Sequence, residues 1–353
     1  MSNKSDILNM SLEELKDEVV SIGEKPFRAE QIYKWLYKGA ASFEEMTDLS
    51  KPLIQKLSDH FIIGGLKEIE RLVSSDNNTI KYLYLLADNN IVECVSMEYH
   101  HGITLCLSTQ VGCKMGCSFC ASTTGGLVRN LTAGEMMAQV LAVNRDLALL
   151  GKDRLGGLVL MGSGEPLDNY KNTLEFIRKV HDPKAFNMGY RNITLSTCGL
   201  VPKMRALAEE EISINLAISL HAPNDTIRRE IMKIANAYSI LDVVNASKYY
   251  FEKTGRRITF EYALIKGAND KTEHARELCT LLKGFPCHIN IIPLNEVEHS
   301  DQRRSTEESI YHFINILEST GINVTRRREM GLDIQGACGQ LKATYLKGEK
   351  QGV

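Results

Sequence analysis

The chain has 353 residues, of which 43% are hydrophobic, enough for one large core or for two or three domains. Its 42 basic and 44 acidic residues give a formal net charge of −2, so any nucleic-acid partner must contact local basic patches rather than an overall basic field. Since no secretion signal and no run of bilayer-spanning length is present, we expect a cytoplasmic protein with no membrane partner.

Residues 1–62 are predicted to form a small helical domain. Two serine–glutamate pairs have the spacing of capping boxes, in which both side chains satisfy free backbone N–H groups at a helix start, namely Ser11 with Glu14 and Ser42 with Glu45. Gly23 and Gly39 stand where two of the helices should end. The pattern therefore predicts short helices separated by tight turns.

Strand-like patterns replace the helical one after this domain. Four alternating apolar segments between residues 66 and 108 are separated by Asn-, Asp- and Gly-containing turns, which predicts an antiparallel β linker over residues 63–100. Helical stretches then alternate with apolar strand-like runs at 157–162, 192–197, 214–220, 258–265, 288–294 and 323–327. Repeated βα alternation predicts an α/β fold with a parallel sheet, open or closed into a barrel, over residues 101–345.

Small or polar residues follow four of these predicted strands. They are Gly164 with Glu165, Ser196, Ser219 with His221, and Asn295. Because the carboxyl ends of barrel strands meet at one mouth, we expect these residues to surround a ligand site. Each residue alone is better explained as part of a turn or a helix cap, but the recurrence at four strand ends favours a site.

Three cysteines, Cys113, Cys117 and Cys120, form a C-x3-C-x2-C pattern directly after a predicted strand. Reduced thiols in this arrangement select zinc, copper(I) or an iron–sulfur cluster. A structural zinc ion needs a fourth protein ligand, for which His100 or His101 is the candidate. A [4Fe–4S] cluster held by only three thiolates keeps one iron open to a small molecule.

This spacing, with an aromatic residue before the last cysteine, resembles the signature of the radical S-adenosylmethionine (SAM) superfamily. Longer segments resemble the RlmN/Cfr family of RNA methyltransferases in the same order: GEKPFRAEQIYKWLYKG, LCLSTQVGCKMGCSFCAST, RNLTAGEMMAQV, MGSGEPLDN, ISLHAPND and DIQGACGQL. The resemblance covers about residues 11–345. It implies a partial (βα)6 TIM-type barrel with a C-terminal catalytic loop, behind the helical domain and the β linker.

The resemblance also implies the cofactors and their ligands. Cys113, Cys117 and Cys120 match the ligands of a [4Fe–4S] cluster, and two SAM molecules would be used per turnover. Seven further positions match SAM contacts: Gly164, Glu165, Ser196, Ser219, Leu220, His221 and Asn295. Ser163 and the pair 335–336 depart from the commoner family residues, but no role is assigned to these positions.

Three residues match catalytic positions of the family. Cys338 matches a thiol that one SAM methylates, Cys106 matches a thiol that later releases the protein–RNA adduct, and Glu93 matches a proton acceptor. From the pattern alone, Cys106 in its apolar strand is better explained as an inert buried cysteine, while for Glu93 a solvated carboxylate is as good an explanation as a catalytic one. Glycines at 331, 336 and 339 favour a functional loop around Cys338.

The implied reaction is methylation of carbon 2 of adenine in 23S ribosomal RNA and in some transfer RNAs. Carbon 2 is electron-poor and its hydrogen is not acidic, so a polar methyl transfer has no nucleophile and a radical route is required. An electron donor such as flavodoxin or ferredoxin would be a partner. The alternatives are methylation at carbon 8 of the same base and, in another class, a non-catalytic zinc-stabilised RNA-binding module.

RNA contacts are predicted for the helical domain. Basic and aromatic residues alternate over residues 25–38, a composition that can contact phosphates and stack on bases. Trp35 in this segment is better explained as part of the domain core, because Ile32 and Leu36 share its helical spacing. Arg326, Arg327 and Arg328 follow each other along a predicted strand, so at least one should face away from the others.

Overall fold

The computed structural model describes residues 4–296 and 300–334. In its amino-terminal part, a two-stranded sheet and three helices are formed by β1 (Ser5–Asp6), α1 (Leu12–Ser21), α2 (Phe27–Lys38), α3 (Lys51–His60) and β2 (Phe61–Ile62). A capping box at Ser11 and Glu14 starts α1, and Gly39 ends α2 with a left-handed φ of 96°. The helices predicted for this part are therefore present.

The second predicted capping box is wrong. Ser42 precedes only a single 3-10 turn, Phe43–Glu45, and its hydroxyl makes no capping hydrogen bond. The Glu45 carboxylate instead accepts a hydrogen bond from the Ala41 N–H at 3.3 Å. The reason is local length, since one turn is too short to need the reciprocal pair that starts a full helix.

An antiparallel meander follows, with β3 (Lys67–Val73), β4 (Thr79–Leu85), β5 (Ile91–Tyr99) and β6 (Gly102–Cys106). Next comes a short hairpin of β7 (Gln110–Gly112) and β8 (Leu127–Asn130), which encloses the three cysteines. β4 and β5 are buried on both faces along most of their length, whereas β3 is half-buried to exposed.

Strands and helices then alternate to the end of the described chain. The elements are α4 (Ala133–Leu149), β9 (Leu155–Leu160), α5 (Tyr170–His181), β10 (Ile193–Thr197), α6 (Val201–Ala208), β11 (Asn215–Ser219), α7 (Asp225–Ile231), α8 (Ile240–Thr254), β12 (Ile258–Leu264), α9 (Thr272–Leu282), β13 (Cys287–Pro293), α10 (Glu307–Ser319) and β14 (Asn323–Arg326).

One sheet contains ten of these strands, in the order β14-β13-β12-β11-β10-β9-β6-β5-β4-β3. From β6 to β14 every neighbouring pair is parallel, and helices connect each strand to the next. Within the described residues β14 pairs with β13 alone, so the parallel strands form an incomplete barrel. The predicted α/β fold with a partial (βα)6 barrel is confirmed. The meander extends this sheet rather than forming a separate one.

A single hydrophobic core joins the barrel to the amino-terminal helices. Lys179 of α5 is buried and donates hydrogen bonds from Nζ to the carbonyl oxygens of Asn9 and Met10, at 3.0 and 2.6 Å. The Gly134 N–H at the start of α4 donates to Asn9 Oδ1 at 2.7 Å. The predicted boundaries at 62 and 100 therefore stay predictions, because packing is continuous across the first of them. No described helix combines the length and apolarity needed to cross a membrane.

Candidate functional site

The three predicted metal ligands lie in the loop over residues 113–126 that the β7–β8 hairpin closes, here called the thiol loop. At its base, the Cys113 N–H donates to the Gly126 carbonyl at 3.0 Å. Gly112 adopts a φ of +77°, and a Cβ there would lie 2.0 Å from the same carbonyl, so only glycine fits. Further along, the Ser118 N–H donates to the Ile231 carbonyl at 3.0 Å, which ties the loop to the end of α7. The loop is therefore held at its base and again at Ser118.

The thiols are protected from water to different degrees. Cys113 and Cys117 are buried, whereas Cys120 is half-buried. Burial raises the pKa of Cys113 to about 11 and raises the pKa of Cys117 still further. Without a metal these thiols stay protonated at neutral pH, so metal binding has to release their protons.

The thiol loop supplies three thiolates, a donor set that fits an iron–sulfur cluster. Among residues 4–296 and 300–334, no three His, Cys, Asp or Glu side chains are grouped around one metal-ion position. Thiolates of a cluster bind different irons, so they do not need to converge on one point. His100 and His101, the candidates for a fourth zinc ligand, precede β6 at the amino end of the parallel sheet. The thiol loop follows the opposite end, so that assignment is wrong.

One cavity at the carboxyl ends of the parallel strands brings the thiols and the strand-end residues together. All three thiols line it, and so do six of the seven positions predicted to contact SAM: Gly164, Glu165, Ser196, Ser219, His221 and Asn295. The seventh, Leu220, is fully buried behind the cavity, and its backbone bonds to Glu261 and Arg228 instead. The predicted convergence at one mouth is thus observed, while the roles of these residues stay predictions.

Gly164 shapes the wall of this cavity. Its φ is +115°, and a Cβ would lie 2.7 Å from Gln110 Cβ and 2.8 Å from Thr109 Oγ1. Both constraints exclude other residues without a shift of the loop, because L side chains avoid this conformation and backbone lies close by. The glycine therefore allows the chain after β9 to pass directly against the segment after β6.

We predict that Gly164→Ala weakens SAM binding to the reconstituted protein about tenfold, equal to about 1.4 kcal/mol. The added Cβ would push the loop away from Gln110 and displace the neighbouring Glu165. Isothermal titration with SAM measures the change. Gly189→Ala is the control, because a Cβ at Gly189 meets nothing within 4 Å. Equal SAM affinities for the two variants would contradict the assignment.

Glu165 is a buried carboxylate held in a fixed orientation. Its oxygens accept hydrogen bonds from the N–H groups of Leu167 at 3.0 Å and Cys198 at 2.7 Å. Its own N–H donates to Gln110 Oε1 at 2.8 Å. Burial raises the pKa of Glu165, while the two N–H donors oppose that shift. A buried carboxylate facing a cavity favours a cationic ligand group.

His221 contributes a neutral imidazole. Its Nδ1 accepts a hydrogen bond from the Ala263 N–H at 2.9 Å, so Nε2 carries the ring hydrogen. Burial, with the positive charge of Arg228, lowers the pKa of His221 to about 3. Phe119 of the thiol loop meets its ring edge-on at 4.7 Å between centroids. His221 can therefore donate a hydrogen bond to a ligand without carrying charge at neutral pH.

Cys106 and Glu93 lie beside this cavity rather than in its lining. Cys106 ends β6 and packs with Val95 and Met97, and Met161 packs against this group while also lining the cavity. Glu93 on β5 is only 3% exposed, so the alternative of a solvated carboxylate is wrong. Cys338 lies outside the described residues.

Sequence reasoning missed two charged residues of the cavity, Glu261 and Arg327. Burial raises the pKa of Glu261, although Arg327 and the hydrogen bond from Asn290 Nδ2 at 2.9 Å oppose the shift. An acidic residue inside the apolar strand ITFEYAL was the available signal. Arg326 forms an ion pair with Glu307 on α10, and β14 ends at this residue, so the predicted divergence of the three arginines along one strand stays a prediction.

Two family models match the chain. Residues 5–63 match the ribosomal RNA large subunit methyltransferase N-terminal domain, and residues 107–279 match the radical SAM superfamily. Members of this superfamily use a [4Fe–4S] cluster and SAM.

Similar proteins span the whole chain. A probable dual-specificity RNA methyltransferase RlmN of Lachnoclostridium phytofermentans is 53% identical over 346 residues, covering 98% of this chain and 96% of that one. The protein of the same description from Clostridium tetani is 51% identical over 353 residues, covering 100% of both. The crystal structure of a radical SAM methyltransferase from Sphaerobacter thermophilus has a TM-score of 0.93 at 42% identity, covering 95% of this chain and 98% of that one. Identity above one half along the full length, together with the shared fold, shows that the chain belongs to the RlmN family of the radical SAM superfamily.

Proposed function

We propose that this protein methylates carbon 2 of an adenine in 23S ribosomal RNA, and an adenine of some transfer RNAs, with two SAM molecules per turnover. The observation that carries the proposal is the single cavity lined by three thiols and by the strand-end polar residues. The two curated relatives described above are RNA methyltransferases by name, which supports an RNA substrate.

The cysteine loop would hold the cluster. Cys113, Cys117 and Cys120 supply three soft ligands from one short loop, within reach of the same cavity as Glu165 and His221. When bound, the cluster supplies the electron that splits SAM and yields a radical able to remove hydrogen from a methyl group. Phe119 covers His221 and helps to exclude water from this region.

The strand-end residues would orient SAM. The fixed carboxylate of Glu165 can pair with the ammonium group of SAM, since a buried anion requires a cationic partner. The Nε2–H of His221 and the amide of Asn295 can donate hydrogen bonds to its oxygen and nitrogen acceptors. The Glu165 and His221 side chains are held by backbone N–H groups, so the ligand would be placed rigidly against them.

The carbon transfer would use two thiols and one carboxylate. Cys338 would take the methyl group from one SAM by displacement. After removal of a hydrogen atom, the resulting carbon radical would bond to carbon 2 of adenine, and the ring radical so formed would give up one electron to the oxidised cluster. Glu93 would accept the ring proton. The Cys106 thiolate would then attack the Cys338 sulfur, so that a disulfide forms and the sulfur–carbon bond breaks. Its electron pair would stay on the new methyl carbon, which takes a proton.

The amino-terminal helices would bind the RNA. Phe27 at the start of α2 is 52% exposed, and the Arg28 guanidinium lies 4.9 Å from the centre of its ring. Trp35 is half-buried, and its indole N–H donates to Asp48 Oδ1 at 2.6 Å, so it supports the domain rather than the RNA surface. An electron donor such as flavodoxin or ferredoxin would complete the system in the cytoplasm.

Nucleoside analysis of RNA treated with the reconstituted protein tests the proposal, with 2-methyladenosine as the expected product. The sister reaction at carbon 8 would use the same residues and give 8-methyladenosine. A zinc-stabilised RNA-binding module would give no methylated nucleoside, and its protein would be colourless instead of brown.

A further inference from the structure

A buried ion pair lies on the face of the sheet that carries Cys106. Lys81 of β4 is fully buried and Glu93 of β5 is 3% exposed. Lys81 Nζ lies 3.6 Å from Glu93 Oε2, which is ion-pair distance. None of the sequence patterns indicated this lysine, because it stands in the apolar strand TIKYLYL.

The strand register brings this pair to Cys106. Lys81 is opposite Val95 on β5, and Val95 is opposite Cys106 on β6. Residues opposite each other in an antiparallel sheet project to the same face, and residues two apart on one strand also share a face. Glu93 therefore shares the face of Val95, so Lys81, Glu93 and Cys106 all project together.

That face is the inner one of the barrel. Cys106 is also opposite Val159 on β9, and Val159 lines a cavity inside the barrel. Val95 and Met97 pack with Cys106 there, while Leu83 and Ile91 form a small apolar group on the same side of β4 and β5. The ion pair is consequently enclosed by apolar side chains next to the proposed reacting thiol.

A contribution to folding stability does not explain an ion pair that is buried among apolar side chains. Removing two charges from water costs several kcal/mol per ion, and apolar residues of similar volume often stabilise a protein as well or better. Exposed lysine–glutamate pairs such as Lys253 with Glu209 carry no such cost. A buried carboxylate that must accept a proton does need a fixed counter-charge, since burial otherwise favours its neutral form.

We propose that Lys81 is a positioning residue for proton removal, holding the Glu93 carboxylate by ion pairing and directing it toward the adenine. In that step, once the ring has given up its unpaired electron, the hydrogen–carbon bond at carbon 2 breaks, its electron pair stays in the ring, and the proton moves to a Glu93 oxygen. The inference rests on the proposed function but assigns a residue to which that function gives no role.

The test replaces Lys81 by methionine, which keeps the length of the side chain and removes its charge. Reconstituted Lys81→Met, incubated with SAM, reductant and ribosomal RNA, should make methylated adenine roughly 100-fold more slowly per folded molecule. It should still form 5′-deoxyadenosine, and protein–RNA adduct should accumulate, because the ring proton stays in place and release is blocked. Lys81→Arg should restore most of the product.

Two further variants separate positioning from folding. Lys179→Met removes another buried ammonium, at α5, and should lower the unfolding temperature without adduct accumulation. Lys81→Met combined with Glu93→Gln leaves no unpaired buried charge, so it should fold better than the single variant yet still accumulate adduct.

The amount of protein–RNA adduct shows whether Lys81 has a positioning role. If folded Lys81→Met forms 5′-deoxyadenosine but releases methylated RNA at the normal rate, or shows no excess adduct, Lys81 has no positioning role. If the unmodified protein forms neither methylated adenine nor 5′-deoxyadenosine, the proposed function fails first, which is a different result.

Discussion

Cys106→Ala should turn the protein into one that stays covalently attached to its RNA. The proposed adduct joins adenine to the protein through the Cys338 sulfur, and only a second thiolate can break that sulfur–carbon bond while forming a disulfide. We expect methylated product to fall below detection while a crosslinked species accumulates to about one RNA per active protein. Gel shift under denaturing conditions, followed by nuclease digestion, measures it.

Cys94→Ala is the matched control for this experiment. Cys94 is one residue from Glu93 on β5 and is equally buried, but it is opposite Tyr82 and packs into the main core. The Cys94→Ala variant therefore loses the same side-chain volume as Cys106→Ala, but on the other face of the sheet. Adduct in both variants, or full activity with no adduct in Cys106→Ala, would remove Cys106 from the mechanism.

The second large effect concerns the thiol loop. Replacing Cys113, Cys117 and Cys120 together by alanine should abolish iron binding and the formation of 5′-deoxyadenosine, because no other thiol lies in that loop. Iron and sulfide content, together with the visible absorption of protein prepared without oxygen, would show the loss. RNA binding by the amino-terminal helices should persist, since they are remote from the loop in sequence.

Cys287→Ala provides its control. Cys287 is buried at the start of β13 and packs in the main core, away from the lining of the cavity. That variant should keep its iron and its product. A triple variant that retained bound iron at the level of the unmodified protein would show that other ligands hold the metal.

The strand-end residues of the site could be predicted because a simple rule places them. All parallel strands of a barrel end at the same mouth, so the residues directly after these apolar strands lie around that mouth. Gly164, Ser196 and Asn295 followed this rule and line one cavity. The rule needs only strand positions, which the apolar runs indicate within one or two residues.

Residues whose roles depend on pairing between strands could not be predicted. Lys81 and Cys106 share one face of the sheet, each opposite Val95, only because β5 lies between their strands in one particular register. Glu261 and Arg327 line the same cavity because β12, β13 and β14 are neighbours in the sheet. A single sequence shows the side chain but not the register, so charged residues inside apolar strands are the best available signal.

The failure at Ser42 shows the limit of short motifs. The spacing of Ser42 and Glu45 is the same as that of Ser11 and Glu14. Only Ser11 with Glu14 starts a full helix. Capping depends on whether a helix follows, which is decided by packing of the later residues.

The position of the new methyl group tests the central claim most directly. Ribosomal RNA lacking the modification would be incubated with the reconstituted protein, SAM and a reductant, digested to nucleosides and compared with authentic standards by mass spectrometry. The account predicts 2-methyladenosine that depends on both SAM and the reductant. Formation of 8-methyladenosine, or of no methylated adenosine by protein that carries its cluster, would contradict it.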